Sequence, residues 1–256
     1  MTSVKTPEEI HSMRVGGKKL GRILKELLAM SIPGIRLLDL EEKAQQRIKE
    51  EGGLPSFSTV ADYQWATCLC INDVVVHGIP SEYRLQHGDV FTIDIGMIYE
   101  GLHTDTAWTK IIGTEEDEEK EKQRFLDVGV NTLWKTIAVA RPGNRIGHIS
   151  EVIQREIEGA GYSVIKDLTG HGVGKKLHEE PIIPEFVKGD ISRTPLLTAG
   201  MTLAIEIIYA AGKGSIEYQN DDGWALASKD RSLTATFEHT IAIGVQETDV
   251  LTKSDI

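Results

Sequence analysis

The sequence predicts an α+β fold in which two pairs of helices cover one face of a curved, largely antiparallel sheet with internal pseudo-twofold symmetry. Three observations predict it. Helical periodicity is confined to two regions, one near residues 6–53 and one near 114–162. A β-rich block follows each region. The two helical regions also repeat one another in sequence. Helices that bury one stripe over strands that bury one face give a two-layer architecture.

The first helix opens at Thr6-Pro7-Glu8-Glu9. Thr6 can cap it, Pro7 suits the first helical position, and Glu9 completes a capping box. Ile10, Met13, Leu20, Ile23, Leu24 and Leu27 keep helical spacing to about residue 30, and Pro33-Gly34 ends the run. A second helix is expected from Asp39, with Glu42 three residues on, to Gly52-Gly53. Strands are expected near 66–72, 89–98 and 104–111. A long helix then runs from a Thr114 cap to about Ala140. The charge run EEDEEKEK at 115–122 reads as its solvated start, with acids at the positive end of the dipole. After the fourth helix, strands are expected near 182–186, 201–208, 215–218 and 239–244.

Residues 33–53 read PGIRLLDLEEKAQQRIKEEGG and residues 142–162 read PGNRIGHISEVIQREIEGAGY. At a constant offset of 109, Pro33 meets Pro142, Gly34 meets Gly143, Arg36 meets Arg145, Glu42 meets Glu151, Gln45 meets Gln154, Ile48 meets Ile157 and Gly52 meets Gly161. The fixed offset and shared helical context imply an internal duplication. We expect one domain over 1–256, made of related halves at about 1–112 and 113–256.

Composition narrows the function. The chain has 256 residues, 40% hydrophobic and 26% charged, which is ordinary for a globular protein. Its formal net charge is −11. That argues against nucleic acid as the main partner, because phosphate contacts need a basic face. No apolar run approaches the roughly 18–20 residues that span a bilayer, and MTSVKTPEEI lacks an apolar signal core. The only cysteines, Cys68 and Cys70, read as reduced core thiols. A cytoplasmic protein is expected.

Chemistry enters with FTIDIGMIYEGLHTDTAWTKI, residues 91–111. Asp94 sits between Ile93 and Ile95, and Asp105 between Thr104 and Thr106, in segments that otherwise read as a strand hairpin. Glu206 lies in LAIEII and Glu238 in ATFEHT, again among strand-like apolar neighbours. Carboxylates on core strands are costly unless paired, and four together would hold some protonated by repulsion. Two divalent cations, about +4 in charge, balance them. The remaining feature is GHGVGKKLHEEP at 170–181, with His171 and His178. No HExxH motif occurs, and two loop histidines alone are compatible with ordinary surface or core residues.

The ordered series Asp94, Asp105, His171, Glu206, Glu238 resembles the dinuclear site of the methionine aminopeptidases, peptidase family M24, whose fold is called pita-bread. The resemblance extends over nearly the whole chain. It includes Ile71-Asn72-Asp73 before His77-Gly78-Ile79-Pro80, the GHGVG…HEEP segment, Ala204-Ile205-Glu206, and Lys229-Asp230-Arg231-Ser232-Leu233 before Glu238-His239-Thr240. The short span from Glu206 to Glu238 resembles the type I enzymes. The chain start leaves no room for the N-terminal domain of prolidases. The resemblance implies hydrolysis of the N-terminal methionine of nascent proteins and peptides, with small second residues preferred. Asp94 would chelate one cation, Asp105 and Glu238 would bridge both, and His171 and Glu206 would complete the second. Cobalt, manganese, iron or zinc would serve. Solvent activated by the cations would attack the first peptide carbonyl, and Glu206 would pass its proton to the leaving amine. His178 would stabilise the oxyanion and His77 would face the scissile amide. The methionine pocket would comprise Phe57, Val60, Tyr63, Cys68, Leu177 and Trp224; Trp224 can equally anchor the turn after Asn220-Asp221-Asp222-Gly223. The carbonyls of Asn72 and Val74 match positions that hold a monovalent cation. A monomer is expected, with no nucleic-acid or membrane partner. The other readings on this fold are an Xaa-Pro aminopeptidase and a non-catalytic binding protein.

The sequence departs from the family pattern in places. Ala61 stands where a histidine is usual, within Ser58–Trp65. Leu177 replaces a phenylalanine, Ile207 a proline after Glu206, and Gly96 a threonine. Thr236-Phe237 precedes Glu238 where glutamine and an aromatic are common. None removes a ligand candidate; they bear on the pocket's shape.

Overall fold

A computed structural model describes residues 4–113 and 119–253. Helix α1 (Pro7–Met30) carries the expected capping box: Thr6 Oγ1 accepts from Glu9 N at 3.2 Å and Glu9 Oε2 from Thr6 N at 2.9 Å. Helix α2 (Leu37–Glu50) starts ahead of the expected Asp39. The reason is an ion pair: the Asp39 carboxylate accepts from Arg36 N at 3.3 Å and from the Arg36 guanidinium at 2.5 Å, so Arg36 is the cap. Strands β1 (Leu54–Pro55), β2 (Thr67–Ile71), β3 (Val74–Val76), β4 (Val90–Tyr99) and β5 (Leu102–Ile111) follow. Then come α3 (Lys120–Val139) and α4 (Ile146–Gly159). The expected Thr114 cap and most of the charge run before α3 lie outside the described residues. The second half adds β6 (Ser163–Val164), β7 (Thr169–Gly172), β8 (Glu179–Pro184), β9 (Thr202–Ala210), β10 (Ile216–Tyr218), β11 (Leu226–Ser228), β12 (Thr234–Ile243) and β13 (Thr248–Val250). Strand β12 begins five residues before the expected 239, because Thr234 to Ala242 pair without a break along β9. Among the described residues, no helix is long and apolar enough to cross a membrane.

The duplicated segments adopt one structure twice. Helices α2 and α4 are each 14 residues long and both start after an arginine, Arg36 or Arg145, that forms an isolated antiparallel bridge. Gly34 and Gly143, two residues before those arginines, share φ near +90°, a conformation that suits glycine.

All strand pairs are antiparallel. In one sheet β4 lies between β5 on one side and β1 and β2 on the other; the second runs β13-β12-β9-β7-β8, with β6 also on β9. A small third sheet orders β10-β11-β3. Strand alternation then assigns the faces. Phe91, Ile93, Ile95 and Met97 of β4 pack with Leu20, Leu24, Leu40 and Ile48 of the first helix pair. Leu203, Ile205, Ile207 and Phe237 pack with Phe125, Leu133, Ile153 and Ile157 of the second pair. The intervening positions, Asp94, Glu206 and Glu238 among them, therefore face away from the helices.

Between the two large sheets, β5 and β12 meet through threonine hydroxyls rather than a backbone ladder. Thr240 Oγ1 accepts from Asp105 N at 2.8 Å and donates to Asp105 O at 2.7 Å. Thr106 Oγ1 donates to Glu238 O at 2.8 Å, and Thr109 Oγ1 donates to Thr236 O at 2.8 Å while accepting from Thr236 N at 3.0 Å. Trp108 packs against both helix-facing cores and meets Phe237 edge-on at 5.1 Å.

Buried Glu41 ties α2 to the first sheet. Its carboxylate accepts from Ala66 N at 2.7 Å, Thr67 N at 3.0 Å, Thr67 Oγ1 at 2.5 Å and Gln45 Nε2 at 2.7 Å. Strand β2, which it anchors, pairs Cys68 with Asp94. Glu41→Ala strands two buried amides and should cost about 3 kcal/mol or more. For a chain of this size that is roughly 6–12 °C in Tm. Thermal unfolding checks it; a shift under 2 °C would contradict this role.

Candidate functional site

The five candidate ligands arrive on five strands. Asp94 and Asp105 sit on β4 and β5, where Asp94 is opposite Ala107 and Asp105 opposite Gly96. Glu206 on β9 and Glu238 on β12 are directly opposite each other. His171 on β7 pairs with Ala204, two residues from Glu206. Asp105, His171 and Glu238 are buried, and one ligand atom from each lies within 4.8 Å of the others. Glu206 Oε1 is 3.4 Å from His171 Nε2. The Asp94 and Asp105 carboxyl groups are close enough to influence one another's protonation. All five line one cavity of about 160 Å³, with room for several waters at ~30 Å³ each.

The imidazole is prepared for ligation. A carbonyl can only accept, so His171 Nδ1 donates to Gly172 O at 2.8 Å and the Nε2 lone pair is left facing the carboxylates. Burial lowers the His171 pKa to about 4, so the ring is neutral at pH 7.

Cations fit this donor set. Asp94 Oδ1 and Glu238 Oε1 are buried with no hydrogen-bond partner among the described residues. Burial pushes the Asp94 pKa up to about 7. Burial, then repulsion from Asp94 and Glu206, raises Asp105. Burial, then Asp94 and Glu185, raises Glu206, and burial followed by Asp105, Glu206 and Asp94 raises Glu238. Among the described residues, no lysine or arginine lines the cavity. Four crowded acids lacking a protein counter-charge, beside a neutral imidazole, form a site for divalent metal.

The remaining residues expected at the site line the same cavity. His77, at φ +58°, and His178 stand at one side, and burial lowers the pKa of each. The rings of His171 and His178 are 4.5 Å apart. Phe57, Val60, Tyr63, Cys68, Leu177 and Trp224 form the apolar part. Trp224 meets Tyr63 edge-on at 5.0 Å while its amide donates to Asp222 Oδ1 at 2.7 Å, so it both anchors its turn and walls the cavity. Gly96 accounts for one departure: a Cβ there would lie 2.8 Å from Phe57 Cε1, so the phenylalanine ring occupies the room a larger residue would need. Ala61 is exposed and does not line the cavity. The carbonyls of Asn72 and Val74 converge on Thr234 Oγ1, at 3.1 and 2.9 Å.

Sequence reasoning missed Val76, which also lines the cavity and follows directly from the apolar run before His77. It missed the seam threonines; their only signal is their density around Asp105 and Glu238. A second hollow of about 490 Å³ shares His77, His171, His178 and Glu206 and opens past Leu168 and Ile182.

A carboxyl whose pKa is higher folded than unfolded binds its proton more tightly when folded. The stability it contributes is complete below the unfolded value near 4 and is lost as pH rises, for Asp94 through about 7. Chelator-treated protein should therefore lose several degrees of Tm between pH 5.5 and 8. Manganese should restore more at pH 8 than at pH 5.5. An unchanged Tm with manganese at pH 8 would contradict cation binding here.

Comparison with known proteins agrees with this geometry. The family model of metallopeptidase family M24 matches residues 11–244. Methionine aminopeptidase 1 of Bacillus subtilis is 38% identical over 253 residues, covering 99% of this chain and 100% of that one. The crystal structure of a methionine aminopeptidase from Thermotoga maritima matches with a TM-score of 0.94 and 36% identity, over 99% of this chain and 100% of that one. A prolidase from Pyrococcus furiosus matches with a TM-score of 0.78 but only 20% identity, covering 99% of this chain and 66% of that one, and so shares the fold alone. The chain belongs to metallopeptidase family M24, among its methionine aminopeptidases.

Proposed function

We propose that this protein removes the N-terminal methionine from nascent proteins and peptides by hydrolysing the first peptide bond, acting as one catalytic domain made of two related halves. The observation that carries the reading is the meeting of five metal-ligating side chains with an apolar cavity large enough for a small side chain.

In this reading Asp94, Asp105, His171, Glu206 and Glu238 would together hold the two cations. Oxygen-rich ligation with one imidazole suits manganese, iron or cobalt, and zinc also fits. When bound, the cations lower the pKa of water so that it is a nucleophile near neutral pH. The chain's own groups do the rest. Glu206, partly open to the cavity, takes the proton and delivers it to the leaving amine. Neutral His178 donates a hydrogen bond to the carbonyl oxygen as it gains charge. His77 faces the amide that is cleaved. Phe57, Tyr63, Cys68, Leu177 and Trp224 enclose the thioether, which packs well against aromatic edges and sulfur. The following residues of the substrate leave along the second hollow, and a small second residue fits between His77 and His178. A cytoplasmic monomer, a monovalent cation at Asn72 and Val74, and no nucleic-acid or membrane partner complete the reading.

Purified protein with manganese, iron or cobalt, assayed anaerobically, should release methionine from Met-Ala-Ser and leave Ala-Pro peptides intact. Release of alanine alone would replace this reading with that of an Xaa-Pro aminopeptidase. Asp105→Ala and Glu238→Ala should each abolish activity and lower bound metal, measured by elemental analysis. His178→Ala should lower kcat by about 10²–10³-fold with metal content preserved; loss of metal in that variant would remove His178 from the oxyanion role.

A further inference from the structure

The described N-terminal segment ends its approach to α1 with a buried ammonium. Lys5 is 4% exposed, and lysine is rarely buried without a partner. Its Nζ donates to Glu179 Oε2 at 2.5 Å, across 174 residues of sequence. The backbone of the segment is fixed as well: Lys5 N donates to Gly200 O at 2.8 Å, and Val4 forms a bridge with Met201. Glu179 directly follows His178. Its second oxygen accepts from Lys176 N at 3.1 Å, so one carboxylate fastens the loop that carries His178. Gly174 opens that loop, and a Cβ there would overlap Lys5 Cε. Gly174 O in turn accepts from His103 N at 2.7 Å, on β5 two residues before Asp105. His178 itself has no hydrogen bond among the described residues and is exposed. No hydrogen bond orients its ring, which packs edge-on against His171 at 4.5 Å, so its placement depends on the backbone that Glu179 holds.

We propose that Lys5 is a positioning residue for His178: its buried ammonium fixes Glu179, and through Glu179 the loop that aims the imidazole at the reacting carbonyl. The proposal rests on the reading of His178 as the oxyanion donor. Burial alone would raise the Glu179 pKa; the Lys5 hydrogen bond and the Lys176 amide outweigh it and hold the carboxyl below its ordinary value. Cutting the contact leaves the carboxylate buried and uncompensated, and the loop relaxes. A misplacement of about 1 Å at a catalytic group costs on the order of 10²-fold.

The test is a double-mutant cycle on Met-Ala-Ser with manganese. Lys5→Met should lower kcat by about 10–100-fold, change KM less than threefold and retain bound manganese. In a His178→Ala background the same substitution should cost less than twofold, because its route to the reaction is gone. Amide hydrogen exchange of residues 174–179 should quicken in Lys5→Met. An equal loss in both backgrounds would reduce Lys5 to a structural anchor and overturn the proposal, as would unchanged kcat. Wild-type protein that releases no methionine would instead defeat the functional reading. The clamp would then be judged on exchange alone, and unchanged protection of 174–179 in Lys5→Met would overturn it.

Discussion

Four carboxylates are forced together where little water reaches them, and the rest of the structure is organised around that constraint. Folding alone favours their protonated forms, since burial raises all four pKa values and mutual repulsion adds to it at Asp105, Glu206 and Glu238. The fold nevertheless holds them rigidly. Asp105 and Glu238 flank the seam, and the hydroxyls of Thr106 and Thr240 bond to the backbone of Glu238 and Asp105 themselves. These two acids are thus fixed through their main chains, while Glu238 Oε1 has no hydrogen-bond partner among the described residues and Asp105 Oδ1 accepts from the neighbouring Thr106 N at 3.0 Å. At this seam side-chain hydroxyls take the place of a backbone ladder.

The duplication explains why the site lies where it does. Each half supplies a helix pair on the outside and two acids on the inside, Asp94 with Asp105 and Glu206 with Glu238. Neither pair gathers the candidate ligands by itself. The halves differ in what they add: the second supplies His171 and His178 from the strands β7 and β8 and their connecting loop, and the first supplies most of the apolar wall through Phe57, Tyr63 and Cys68. The candidate ligands and the apolar wall therefore meet at the junction of the two halves, and within the first half they are adjacent, since the Phe57 ring packs over Gly96, which sits opposite Asp105.

Much of this was legible in the sequence because it is expressed in local pattern. Thr6-Pro7-Glu8-Glu9 marks a helix start by its own capping chemistry, and acids among apolar strand residues are conspicuous because they are costly. The fixed offset of 109 residues by itself matches α4 to α2. The rest depends on contacts that no window contains. Arg36 reads as a solvated residue until its pairing with Asp39 moves the start of α2. Glu41 looks like a surface acid in LEEKAQQ, yet it is 1% exposed and bonds to a strand about 25 residues on. Lys5 looks like part of a polar terminus, and its partner is 174 residues away. Threonines in strands are read as β-formers, and nothing local says that their hydroxyls join two sheets.

The central claim is that Asp94, Asp105, His171, Glu206 and Glu238 bind a pair of cations at the meeting of the two sheets. Anomalous X-ray scattering from crystals grown with manganese tests it most directly. The account predicts two peaks within coordination distance of these five side chains, with Asp105 and Glu238 touching both. A map in which manganese is absent from this cluster at saturating concentration, or is held by other residues, would contradict it.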